Sequence, residues 1–131
     1  MEKNKNIIFA IVIIILIIAV VIVMSLSGTN KSVIQSPNSE EISEIIQDKS
    51  VIIIDVRTAE EYKTGHVEGA INIPFDEVEN EVNYDKDQAL AVYCRTGVRS
   101  SEAAKTLEKM GYMKIYDLGG IEDFNVELTT D

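Results

Sequence analysis

The chain has 131 residues, 46% of them hydrophobic, and a formal net charge of −10. That length accommodates one small domain and an appendage, and little more. The acidic balance lacks the electrostatic footprint of a nucleic-acid binder, and the single cysteine excludes an internal disulfide.

Residues 1–6 form a short flank holding Glu2, Lys3 and Lys5, a net of +1, so residues 31–131 carry −11. From Ile7 to Met24 there is no charge and almost nothing but Ile, Val, Ala, Leu and Phe. A helix of that length reaches about 27 Å, close to the thickness of a bilayer's hydrocarbon. The segment reads as a single transmembrane anchor. A cleaved secretory signal is the alternative, with Ser25, Ser27 and Gly28 as small residues near a possible cut, but its apolar region usually runs only about 7–15 residues. Lys3 and Lys5 precede the span and only Lys31 follows closely, so the positive-inside preference leaves the remainder outside the cytoplasm.

Residues 25–38 are rich in Ser, Gly, Asn and Thr and contain Pro37, a linker composition, with Val33 and Ile34 able to add an edge strand. A domain over residues 39–131 follows. Ser39 opens a helical pattern carried by Ile42, Ile45 and Ile46. Val51–Ile54 is a β-branched run suited to a strand buried on both faces, ending at Asp55. Thr58 and Glu61 have capping-box spacing for a short helix that Gly65 stops. Further strands are expected at residues 70–73, 89–93 and 114–118, with helices at 75–82 and 100–110 and a last helical turn or two at 121–126. Strands alternating with helices predict an α/β fold: a small, mostly parallel sheet with helices on both faces.

Ligands of open α/β sheets bind beyond the carboxyl ends of the strands, and Asp55 and Cys94 both occupy such ends. The segment Cys94-Arg95-Thr96-Gly97-Val98-Arg99-Ser100 joins a buried strand to a helix start. A short loop there aims successive backbone N–H groups at one atom. The helix adds its positive N-terminal end, and Arg95 and Arg99 add two permanent cations. Each effect favours thiolate over thiol and makes Cys94 a nucleophile for anionic substrates. An inert core cysteine does not account for two arginines and a glycine within five residues of it.

Ile54-Asp55-Val56-Arg57, Glu61-Tyr62, Gly65-His66-Val67 with Gly69–Pro74, Tyr93–Ser101, and Leu118-Gly119-Gly120-Ile121 together resemble the rhodanese family, in its order and spacing, across residues 38–127. The resemblance implies a rhodanese-like fold and a sulfurtransferase. A Cys94 thiolate would take the sulfane sulfur of a thiosulfate-like donor as a persulfide and pass it to cyanide or a thiol. Amides of Arg95, Thr96, Gly97, Val98 and Arg99 would stabilise that persulfide, and Arg95 and Arg99 would hold the donor's sulfonate. No cofactor and no general base are implied. The alternative is a sulfur carrier that relays its persulfide to a protein partner with little thiosulfate turnover. A cysteine phosphatase or arsenate reductase is less compatible, because phosphatases space Cys and Arg as C-x5-R, whereas Cys94 to Arg99 is C-x4-R.

Asp55 and Arg57 read as ties between neighbouring loops, and His66 as a packing or turn residue. The acidic cluster Asp76, Glu77, Glu79, Glu81, Asp85 and Asp87 has no EF-hand pattern and reads as a solvated face, so no metal site is expected. Phe124 stands where the family often has Trp.

Overall fold

The computed structural model describes residues 1–26 and 33–131. The chain divides into two compact units, Met1–Lys31 and Ser32–Asp131. The first contains one helix, α1 (Glu2–Leu26). Its apolar side chains are exposed, Ile8 and Phe9 by 61% and 69%. It is long and apolar enough to cross a membrane or to act as a signal. The flanking residues Ser27, Gly28 and Lys31 lie outside the described residues.

The second unit opens with β1 (Ile34–Gln35), α2 (Ser39–Gln47), β2 (Ile52–Asp55) and α3 (Ala59–Lys63). It continues with β3 (His66–Val67), β4 (Ile71–Asn72), α4 (Val78–Glu81) and β5 (Leu90–Cys94). The closing elements are α5 (Val98–Lys109), β6 (Ile115–Gly120), a 3-10 turn at Ile121–Asp123 and β7 (Leu128–Thr129). Five strands form one parallel sheet in the order β1-β6-β5-β2-β4.

The β-branched run before Asp55 forms an interior strand between β5 and β4, with Ile53 and Ile54 buried on opposite faces. Along β5, Leu90, Val92 and Cys94 point into a core shared with Ala103, Ala104 and Leu107 of α5 and Val78 of α4. Ala91 and Tyr93 point the opposite way, into a core shared with Ile42 of α2. This is the strict two-residue alternation of a strand buried on both sides.

Three expectations are sharpened or corrected. Residues 33–38, placed in a linker able to add an edge strand at Val33 and Ile34, do add one at the sheet's edge: β1 pairs with β6 through Ile34–Ile115 and Gln35–Tyr116, and the α2 cap falls one residue before Ser39, at Asn38, in a full capping box with Glu41. The helical turns expected over residues 121–126 shorten to the 3-10 turn, and the chain then extends so that β7 pairs antiparallel with β3. Neither two-residue strand carries a hydrophobic period long enough to register in sequence. Finally, α5 starts at Val98, two residues earlier than its apolar stripe suggests, because Gly97 at φ +98° turns the chain directly into the helix.

Candidate active site

Parallel pairing puts the ends of β2 and β5 side by side, with Asp55 opposite Tyr93. Cys94 is the next residue, fully buried and paired with Gly120 of β6. Three residues, Arg95 to Gly97, then carry the chain from the strand into α5. The Gly97 N–H donates to Cys94 Sγ at 3.0 Å, so the sulfur lies beneath the first turn of α5. There the helix's unpaired amides and its dipole favour negative charge.

The loop is seated on β6. A Cβ on Gly120 would lie 2.6 Å from the Arg95 carbonyl oxygen and 2.9 Å from Thr96 backbone atoms, so only glycine lets the two segments pass. Ser100, fully buried, fastens the other side: its hydroxyl lies 2.7 Å from Asp117 Oδ1 and 3.1 Å from the Gly97 carbonyl. Asp117 Oδ1 also accepts from the Gly119 N–H at 3.1 Å. Two rigid strands and a helix start therefore hold the sulfur's immediate frame.

Arg95, Thr96 and Val98 are exposed at the rim, and Gly97 and Arg99 are half-buried. Arg95 makes only a loose surface pair, 3.8 Å from Glu122. Arg99 sits in the first turn of α5 and is engaged: its Nη1 and Nη2 donate to Glu61 Oε2 and Oε1 at 2.6 and 2.8 Å. That bonding raises the Arg99 pKa, with smaller contributions from the charges of Cys94 and Asp55. The same bond from Arg99 holds the Glu61 carboxyl down at about 2. Of the loop amides expected around the sulfur, the Gly97 N–H is the one bonded to Sγ among the described residues.

Asp55 and Arg57 meet as a buried fork. Arg57 Nη2 donates to Asp55 Oδ2 at 2.6 Å and to the Gly65 carbonyl at 2.7 Å, which ties β2 to the segment before β3. Burial alone pulls the Arg57 pKa down, and the bond and charge of Asp55 more than offset it, leaving it raised. Burial, helped by the charge of Asp55, pushes the neighbouring Tyr93 hydroxyl up; that hydroxyl accepts from the Val67 N–H at 3.0 Å. His66 is buried, stacked on Tyr62 at 3.6 Å between ring centres, with Nδ1 2.9 Å from the Tyr62 carbonyl. A carbonyl only accepts, so Nδ1 carries the proton there.

The fold agrees with what similarity to known proteins shows. The model of the rhodanese-like domain matches residues 38–127. The chain belongs to the rhodanese-like family. It is 42% identical over 73 residues to the thiosulfate sulfurtransferase PspE of Escherichia coli, covering 53% of this chain and 70% of PspE. It is 34% identical over 94 residues to the putative sulfur carrier protein YrkF of Bacillus subtilis, covering 70% of this chain but only 51% of YrkF. Among solved structures, a rhodanese with anions from E. coli superposes with a TM-score of 0.59 at 37% identity, covering 62% of this chain and 99% of that one.

Sequence reasoning overlooked two contributors to this rhodanese-like site. Glu61 registered as the end of a capping box and as part of a family block but with no role at the site, and Asp117 not at all, because Glu61 meets Arg99 and Asp117 meets Ser100 across the sheet ends. Gly119-Gly120 was visible as a motif, but the need for its second glycine appears only where the loop crosses it.

Proposed function

We propose that this rhodanese-like domain is a sulfurtransferase working through a Cys94 persulfide, with a thiosulfate-like donor and cyanide or a thiol as acceptor. The observation that carries the reading is the Gly97 N–H on Cys94 Sγ at the start of α5. A sulfur atom held there is served by backbone dipoles that need no rearrangement when charge moves from the thiolate to the terminal persulfide sulfur. The Cys94 thiolate attacks the sulfane sulfur of thiosulfate, and a new S–S bond forms. The bond to the sulfonate sulfur breaks, and sulfite leaves with its electron pair. Cyanide then attacks the terminal persulfide sulfur, thiocyanate departs and the thiolate returns. No proton moves in either step, so neither His66 nor any carboxylate is needed as a base.

Arg95 and Arg99 supply the cationic rim for an anionic donor, with Thr96, Gly97 and Val98 as the backbone of the cradle. Asp55, Arg57 and His66 are structural supports. The C-x4-R loop encloses one sulfur more closely than a phosphate, which disfavours phosphatase or arsenate reductase chemistry. Similarity to a putative sulfur carrier supports a second reading, in which the persulfide passes to a protein partner with little thiosulfate turnover.

Incubating the detergent-solubilised chain with thiosulfate and weighing it intact tests the persulfide. The expected gain is about 32 Da, one sulfur atom, absent from Cys94→Ser; no gain with any sulfane donor sinks the proposal. Thiocyanate formation then divides enzyme from carrier.

For placement, residues 7–24 serve as a single-pass anchor in the cell membrane, the residues between it and β1 connect, and the domain stands outside the cytoplasm. Secretion after signal cleavage is the competing outcome. Protease added to intact cells should remove the domain. Digestion only after lysis puts it in the cytoplasm, and a domain found free in the medium means a cleaved signal.

A further inference from the structure

Arg99, the less exposed of the two cations in the segment after Cys94, already has both terminal nitrogens on a carboxylate. That carboxylate is not a flexible surface group that happens to fall nearby. Glu61 is the third residue of α3, and its Oε2 also accepts the Thr58 N–H at 3.0 Å, while the Thr58 hydroxyl accepts the Glu61 N–H at 3.2 Å. This reciprocal capping box fixes Glu61 from its own helix. Glu61 therefore positions Arg99 rather than the reverse. The first turns of α3 and α5 are joined by the pair, across 38 residues of sequence. Its two side chains are 26% and 29% exposed, so the bond remains open to solvent and to small ions. The second loop cation, Arg95, faces Glu122 across 3.8 Å at the surface. Neither cation presents an unopposed charge to an arriving dianion.

We propose that Glu61 is the specificity-determining residue of this site: it competes with the donor's sulfonate for Arg99, and so holds back thiosulfate relative to donors without sulfonate oxygens. This inference rests on the sulfurtransferase reading and adds the class of donor favoured. An alkyl persulfide needs no guanidinium. The Cys94 thiolate attacks its terminal sulfur, the S–S bond of the donor breaks, the alkyl thiolate leaves with the electron pair, and the sulfur stays on Cys94. Thiosulfate makes the same kind of bond but brings two negative charges, and it must first displace Glu61 to gain a bidentate contact.

Glu61→Gln tests this, since Gln keeps an acceptor at the capping position and removes only the charge. Turnover is measured for the full chain in detergent with cyanide as acceptor, using thiosulfate and an alkyl persulfide as donors. The expected result is a rise of about fivefold in kcat/KM for thiosulfate, the scale of one partly exposed ion pair, with persulfide use changed less than about twofold. In an Arg99→Ala background the gain should vanish, because Glu61 acts through Arg99. A fall in thiosulfate use, an equal change for both donors, or a gain that survives Arg99→Ala overturns the proposal. A measurement without any change at Glu61 stands beside it: in Cys94→Ser, thiosulfate should shift the side-chain nitrogen resonances of Arg99. Unmoved resonances at saturating thiosulfate also overturn the proposal. Turnover by the unaltered chain with an unchanged donor ratio in Glu61→Gln defeats only this inference. Absence of any sulfur adduct in the unaltered chain defeats the sulfurtransferase reading itself.

Discussion

Arg57 and Arg99 each close a fork on a carboxylate, Asp55 and Glu61 respectively, and each fork stands at the carboxyl side of the sheet. Their surroundings differ. The Asp55–Arg57 pair is 0% and 6% exposed, and Arg57 Nη2 also donates to the Gly65 carbonyl. The Glu61–Arg99 pair is more than a quarter exposed on both sides and lies in the turn above Cys94. The contact chemistry is the same, yet burial makes the first pair a fixed joint and leaves the second an exchangeable one. A buried charge deprived of its partner keeps its desolvation cost, whereas a charge at the rim recovers water.

The sharpest way to break this comparison is to remove one carboxylate from each pair. Asp55→Ala should cost about 3–5 kcal/mol of unfolding free energy, because Arg57 is left buried and unpaired. Glu61→Ala should cost only about 1 kcal/mol, including its lost capping contact. Denaturant unfolding of the full chain in micelles, followed by near-ultraviolet circular dichroism of its tyrosines, measures both. Similar losses would mean that burial does not separate the two pairs.

A smaller effect is expected on activity. Arg99→Ala should lower kcat/KM for thiosulfate by about tenfold, since it removes the rim cation and leaves Glu61 to repel the donor. Use of an alkyl persulfide should fall less than about threefold. Parallel losses with both donors would make Arg99 part of the loop's scaffold instead of a donor-binding group.

The smallest effect concerns acid. The Glu61 carboxyl is lowered from 4.5 to about 2, chiefly by the bond from Arg99. A carboxyl depressed in the folded state stabilises it fully above its unfolded value, and that contribution is lost as pH falls through the folded value. The Glu61–Arg99 contribution should therefore be constant above roughly pH 4.5 and disappear toward pH 2. Solvent screening at this exposure limits it to about 1 kcal/mol. Unfolding curves of the unaltered chain and Arg99→Ala should converge over that window, and a gap that stays constant down to pH 2 contradicts the assignment.

Much of the architecture was legible because it depends on local signals. The all-apolar run from Ile7 to Met24 announces a helix of membrane-spanning length, and the continuous apolar runs Val51–Ile54 and Ala89–Tyr93 announce strands covered on both faces. Thr58 and Glu61 foretold α3 down to its capping box. What failed to register was short or non-local. The β3–β7 ribbon consists of two-residue strands more than 60 residues apart, and the early start of α5 depends on a left-handed Gly97, with Val98 exposed and outside the helix's buried stripe.

The sequence by itself determined the family, the α/β alternation, the helix of membrane-spanning length and the place of Cys94 at a strand end. Hydrophobic period, capping residues and motif spacing are all written along the chain. Only the tertiary structure decided which charges meet around that cysteine. Parallel packing of β2, β5 and β6 brings Glu61, Arg99, Ser100 and Asp117 together from three separate stretches. Arg99, read in sequence as a free hand for the donor, is already held by Glu61, because electrostatics acts through space and chooses the nearest satisfied geometry.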